Sequence, residues 1–222
     1  MEPVILDQIP FEPAESAVEY VLERKLGKRS EDAFRELIKK AADFAQPRAM
    51  YREAYITEKG EDFVVLGEQT FTSRVLRVNL EETHRVFVYV VTCGQEMEAW
   101  KNNISDPLEQ YYADAVNGLS LECAREYLYA HLKDQYQLHN ISSMAPGSLE
   151  DWPIQEQQPL FDFLGDTEEA IGVRLLSSLL MDPGQTVSGI YFPTESTFES
   201  CQLCGRENCP HRKAAFDPEL YH

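Results

Sequence analysis

The run Val86–Val91, VFVYVV, constrains the fold more than any other segment of this chain. It is short, β-branched and aromatic, so it reads as a strand, and it stops at Thr92-Cys93-Gly94. Two further apolar runs, Leu175–Met181 and Val187–Phe192, flank Asp182-Pro183-Gly184, a strong turn signal. These three segments are expected in one mainly antiparallel sheet. Tyr51–Ile56 and Phe63–Leu66 flank the Glu58-Lys59-Gly60 turn and read as a hairpin.

Helical periodicity lies between these runs. After an extended arm punctuated by Pro10 and Pro13, Ala17, Val18, Val21 and Leu22 repeat at three and four, and the pattern stops at Gly27. Ser30 is placed to cap a second helix carrying Phe34, Leu37, Ile38, Ala41 and Phe44. A helix through Met97 and Trp100 follows the VFVYVV strand. A long helical stretch then opens at Asp106-Pro107 and reaches about Leu138, with Leu121, Ala124, Leu128 and Leu132 as its apolar stripe. Asn117-Gly118 predicts a kink or a break in it. Ser142 to Ser148 reads as a loop, and a short helix is expected around Gln155 to Leu164. Helices and strands mix without regular alternation, which predicts an α+β fold.

The chain has 222 residues, enough for one large or two small domains with a real core. It has no apolar run long enough to span a membrane, and its N-terminus does not resemble a signal peptide. Both features predict a cytoplasmic protein. The net charge of −18, from 38 acids against 20 bases, repels nucleic-acid phosphates and excludes DNA or RNA as an expected partner. The same charge serves solubility or docking to a basic protein. No G-x-S-x-G elbow, P-loop or dinucleotide motif occurs, and His84, His131 and His139 are isolated. Hydrolase chemistry has no support. Gly189, inside the last strand, lets a ligand or another backbone approach closely, and the alternative, which the residues alone favour, is a bulge or a tight packing contact.

Three of the five cysteines, Cys201, Cys204 and Cys209, form a C-x2-C-x4-C run with His211 just beyond it. A C-x2-C turn points two thiolates inward, and Gly205 lets the chain reverse so that Cys209 returns to the same point. Three exposed thiols without a ligand would oxidise readily. The expected centre is zinc, with His211 as fourth ligand, or an iron–sulfur cluster. Cys93 and Cys123 lie in apolar patterns, so the set is not a secreted disulfide framework.

The stretch Val173 to Phe192, VRLLSSLLMDPGQTVSGIYF, resembles the activation domain of cobalamin-dependent methionine synthase. Pro183, Val187, Ser188, Gly189, Tyr191 and Phe192 match that family's Pro-x-x-Ser-Val-Ser-Gly-x-Tyr-Phe segment. Ala145-Pro146-Gly147 resembles its Ala-Pro-Gly-Tyr loop. GLSLECAREYLYAHLK resembles its Ala-Glu-Ala-x-Ala-Glu-x-Leu helix. VYVVTCGQEMEAW and the cysteine run resemble free-standing relatives from anaerobes.

The resemblance implies a twisted, mainly antiparallel sheet flanked by helices. It implies an N-terminal region over 1–70, an activation-domain-like core over 71–198 and a Cys-rich tail over 199–222. It also implies an accessory role toward a corrinoid protein or methyltransferase that carries the cobalamin, in reductive reactivation or methyl transfer. The alternative is a non-enzymatic corrinoid-protein-binding module with a structural metal tail. The family's ligand groove maps onto Ala145, Pro146, Gly147, Val187, Ser188, Gly189 and Tyr191. The family's arginine and tyrosine contacts to S-adenosylmethionine are Ser143 and Ser148 here. A hydroxyl cannot replace a guanidinium's bidentate hold on a carboxylate, so weak or absent S-adenosylmethionine binding is expected.

Overall fold

The computed structural model describes residues 2–194 together with Gln202 and Ala215. Chain order is β1 (Val4–Leu6), α1 (Glu15–Val21), α2 (Glu31–Ala41), β2 (Arg48–Lys59), β3 (Phe63–Leu66), β4 (Gln69–Thr72) and α3 (Arg74–Asn79). Then come β5 (Arg85–Thr92), α4 (Gln95–Asn102), α5 (Pro107–Tyr136), β6 (Ile141–Met144), α6 (Gln157–Leu164) and α7 (Thr167–Ile171). The short strands β7 (Arg174–Leu175) and β8 (Met181–Asp182) precede β9 (Thr186–Pro193).

The main sheet has seven strands in the order β4-β3-β2-β5-β9-β6, with β1 on β2. All its pairings are antiparallel. This is the antiparallel sheet flanked by helices that the sequence predicts.

The VFVYVV run is continuous because β5 is the middle of this sheet and is covered on both faces. Phe87, Tyr89 and Val91 face a core built with α1, α2 and α5, where Phe34, Leu37, Val116 and Leu128 pack. Val86, Val88 and Val90 face a second core built with α3, α6 and α7, where Leu76, Leu160 and Ile171 pack. β2 pairs with β5 from Arg48↔Thr92 to Tyr55↔Arg85, and β9 pairs on the other side from Phe87↔Tyr191 to Thr92↔Thr186.

Helix α5 starts where Asp106 accepts from the Glu109 amide at 2.8 Å, with Pro107 in the first turn. It runs unbroken for 30 residues through Asn117-Gly118, against the expected kink. The fully buried Asn117 donates to the Met97 carbonyl on α4 at 3.2 Å, and Ser120 donates to the Cys93 carbonyl at 3.0 Å. Tertiary anchoring there outweighs the roughly 1 kcal/mol that Gly costs in a helix. The stripe Leu121, Ala124, Leu128 and Leu132 is buried as expected. Ser30 precedes α2, but its hydroxyl bonds Tyr112 and Leu26 rather than capping the helix.

One strand expectation is overturned. Leu175–Met181 is not a strand of the main sheet. It folds on itself as the two-residue β7–β8 ladder, closed by Leu176 N to Leu180 O at 2.9 Å and Leu179 N to Leu176 O at 2.8 Å. Ser177-Ser178 form the turn and Leu179 takes a positive φ of 64°. Apolar content marked this segment as a strand, but Leu176 and Leu180 are exposed. No helix among the described residues is long and apolar enough to cross a membrane.

Candidate functional site

The loop after β6 is built by local hydrogen bonds. Ala145 O accepts from both the amide and the hydroxyl of Ser148. Gly147, at φ 77°, donates its amide to Trp152 O at 2.7 Å. A Cβ on Gly147 would lie 2.9 Å from Ile154 Cδ1, so this turn is packed tightly on its own continuation. Trp152 is fully buried and plugs the loop into the core of α3 and α6. Asp151 ties it to α3, accepting from Ser73 Oγ at 2.6 Å and the Val75 amide at 2.9 Å.

This loop, the β7–β8 hairpin and the start of β9 enclose a groove of about 330 Å³. Ala145, Pro146, Ile154 and Gln157 line it from the loop and the start of α6. Leu179 to Met181 line it from the hairpin, and Gly184 and Thr186 to Ser188 from the start of β9. Among the described residues no ionisable side chain lines it. Gln157 is buried and donates to Leu179 O at 3.4 Å, which joins α6 to the hairpin. Thr186 donates to Thr92 Oγ1 at 2.9 Å, and that oxygen also accepts from the Gly94 amide at 3.2 Å. The Thr92-Cys93-Gly94 segment therefore braces the groove from behind.

Four of the seven ligand-groove residues expected from the sequence, Ala145, Pro146, Val187 and Ser188, line this cavity. Gly147 sits beside them in the turn. Gly189 and Tyr191 lie further along β9. A Cβ on Gly189 would meet Met144 O at 2.3 Å and the Tyr89 ring at 3.2 Å. The close approach at this glycine is thus made by the neighbouring strand. Tyr191 is buried on the α5 side, stacked on Tyr89 with centroids 4.3 Å apart, and its ring edge meets Tyr129.

A second polar group surrounds these tyrosines. The Tyr89 hydroxyl bonds the side chains of Ser143 and Tyr191 and lies within the field of Arg125 from α5. Burial pushes both phenols up, so both remain protonated. Arg125 Nη1 donates to Glu122 at 2.9 Å, while its buried Nε finds no partner among the described residues. Sequence reasoning missed this group. Glu122 and Arg125 carry no motif in the sequence, and only the tertiary position shows what they face.

Burial pushes the Cys93 thiol up to about 12 and the Cys123 thiol up to about 11, so neither is a thiolate at neutral pH. Among the described residues no three metal-ligating side chains come together. Cys201, Cys204, Cys209 and His211, the expected metal ligands, lie outside the described residues.

No protein-family model matches this chain, and no curated protein matches it. Solved structures do. The chain is similar to the crystal structure of the MetH reactivation domain bound to AdoHcy, with a TM-score of 0.70 and 14% sequence identity. The match covers 90% of this chain and 81% of that one. At that identity the likeness is one of fold.

Proposed function

We propose that this chain is a free-standing relative of the methionine synthase reactivation domain and an accessory protein of a corrinoid system. Its partner is a corrinoid protein or methyltransferase carrying the cobalamin, and its task is reductive reactivation or methyl transfer to that cobalamin. The observation that carries the reading is the likeness of fold, which runs through nearly the whole chain. A groove formed by Ala145-Pro146 and Val187-Ser188 adds support, because the sequence resemblance points to the same segments.

The neighbour is bound to AdoHcy, and the groove here suits the neutral part of such a ligand. Its walls are apolar, while Gln157, Thr186 and Ser188 supply uncharged polar groups. S-adenosylmethionine would supply the methyl group. The cysteine tail would carry zinc or an iron–sulfur cluster on Cys201, Cys204 and Cys209, with His211 completing a zinc site.

A second reading is a corrinoid-protein-binding module without a methyl donor, favoured by the uncharged lining that the described residues give the groove. One experiment separates them. The protein is mixed with a cobalamin-loaded methyltransferase, a one-electron reductant and S-adenosylmethionine. Formation of methylcobalamin, followed by absorbance, with AdoHcy released in equal amount, supports the first reading. Association without either product supports the second, and no association sinks both.

A further inference from the structure

The connection between α1 and α2 is opposite in sign to the rest of the molecule. Arg24, Lys25, Lys28 and Arg29 place four of the chain's 20 basic residues between positions 24 and 30, with no acid among them, while the whole chain carries −18. All four residues are exposed, and none forms an ion pair among the described residues. Of the bracketing acids Glu23, Glu31 and Asp32, Glu31 is held by Arg35 at 2.9 Å.

The backbone fixes these cations in place. Helix α1 runs into a wide turn in which the Gly27 amide donates to Leu22 O at 2.7 Å, and the Ser30 amide then donates to Gly27 O at 3.1 Å. Leu26 and Tyr112 pack against the core. Ser30 Oγ bonds the Leu26 carbonyl at 3.3 Å and the Tyr112 hydroxyl at 2.6 Å, and the Tyr111 hydroxyl donates to the Lys25 carbonyl at 3.5 Å. The basic turn is thus anchored to the start of α5. Apolar surface adjoins it there. Tyr111 is 52% exposed, and Leu108, one helical turn before it, is 58% exposed. Exposed tyrosine and leucine beside arginine, ringed by further charge, is the composition of a protein interface with a polar rim.

The range of the charges selects the kind of partner. At physiological salt a charge acts over about 8 Å. A bilayer or a nucleic acid is an extended anion, and it would face the acidic remainder of the surface as well as the turn. A protein can set a local acidic patch against the turn alone. We propose that Arg24, Lys25, Lys28 and Arg29, with Leu108 and Tyr111, form the docking surface for an acidic patch on the corrinoid-carrying protein. This rests on the accessory-protein reading above, and it gives the partner's docking face the sign opposite to the one that the net charge predicts. The position suits that reading. Tyr111 lies seven residues before Gly118 on α5, about 10 Å along the helix. A Cβ on Gly118 would lie 3.8 Å from Gln185 Oε1, and Gln185 stands between the groove residues Gly184 and Thr186. A protein seated on the turn is therefore close to the groove.

The test is calorimetric titration with a cobalamin-loaded methyltransferase at low and at high salt. Changing Arg24, Lys25, Lys28 and Arg29 together to Glu lowers affinity by more than about tenfold at low salt, and the gap to wild type narrows as salt rises. Tyr111→Ala weakens binding by about fivefold or more at either salt. Lys39→Glu with Arg74→Glu reverses two exposed cations elsewhere and leaves affinity within about twofold of wild type. The neutral pair Lys28→Gln and Arg29→Gln also weakens binding, and it decides the question should the fourfold variant fail to fold. Turn variants that bind as tightly as wild type overturn the inference and leave the accessory reading standing. So does a loss as large in the Lys39 and Arg74 variant. So does a fourfold variant that loses flotation with anionic phospholipid vesicles and keeps its affinity for the methyltransferase. A wild-type protein that does not bind the methyltransferase at either salt overturns the accessory reading as well.

Discussion

Asp151 lies 76 residues beyond Val75 in sequence, yet its carboxylate accepts from both the Val75 amide and the Ser73 hydroxyl, at 2.9 and 2.6 Å. It thereby joins the first turn of α3 to the loop that carries Ala145 and Pro146. Asp151→Ala removes two hydrogen bonds to a charged acceptor. The expected loss is about 1–2 kcal/mol of stability. Urea denaturation measures it, and faster amide exchange across 145–153 should accompany it. An unchanged midpoint would show that the loop is held by Trp152 alone.

Gly189→Ala tests the packing of β6 on β9. The added methyl group would stand 2.3 Å from Met144 O, so β6 must move. The expected cost is about 1–3 kcal/mol, the usual range for overpacking. Hydrogen exchange should localise the loosening to Ile141–Met144. A variant as stable as wild type, with no change in exchange there, contradicts the geometry.

The pH response should carry a mark of His131. Its Nε2 lies 3.1 Å from the Tyr51 hydroxyl. Burial lowers its pKa below the ordinary value of 6.5, partly opposed by the Asp134 charge. The unfolded chain therefore binds this proton more readily than the folded one. Stability from the neutral imidazole is complete above about pH 6.5 and is lost as pH falls from there through the lowered folded value. Denaturation curves of His131→Gln should show a smaller loss between pH 7 and 5 than wild type. Parallel losses would assign the acid sensitivity to other groups.

The tail should hold metal independently of the sheet. Anaerobically purified protein is expected to contain zinc or iron, and Cys204→Ser should release it. The thermal midpoint of the sheet domain should not shift, because the cores comprise residues of 9–192. Equal metal content in wild type and in a Cys201→Ser, Cys204→Ser, Cys209→Ser triple variant would refute a shared centre.

The parts of the fold that follow from local chemistry were readable in advance. VFVYVV, the hairpin at Glu58-Lys59-Gly60 and the stripe on α5 all announce their burial by composition and period. β1, β4 and β6 did not: each is as short as β3, but the polar QTFT and ISSM lack the apolar, β-branched content of FVVL, and the three-residue β1 is held by its pairing with β2. Ser142 and Ser143 read as loop residues, yet the ladder to Phe192 and Tyr191 makes them strand. Leu175–Met181 shows the opposite error, since apolar content cannot distinguish a strand from a short exposed hairpin. At the groove, Ala145, Pro146, Val187 and Ser188 were legible through a motif resemblance. Arg125 was not, since the tyrosines whose phenols feel its charge, Tyr89 and Tyr191, come from β5 and β9.

The double pairing of β5 has a kinetic consequence. Its neighbour on one side, β2, is already made when β5 leaves the ribosome, but its other neighbour, β9, lies 94 residues downstream at Thr92–Thr186. During synthesis VFVYVV must therefore wait with one hydrogen-bonding edge bare and one partner strand missing. Closing so long a loop costs entropy before any pairing returns it, and non-local strands of this kind fold slowly. The bare edge is apolar and β-branched, the template on which another chain can add. Newly made protein should therefore depend on chaperones until residue 193 has emerged, and a chain stopped before Thr186 should aggregate rather than fold.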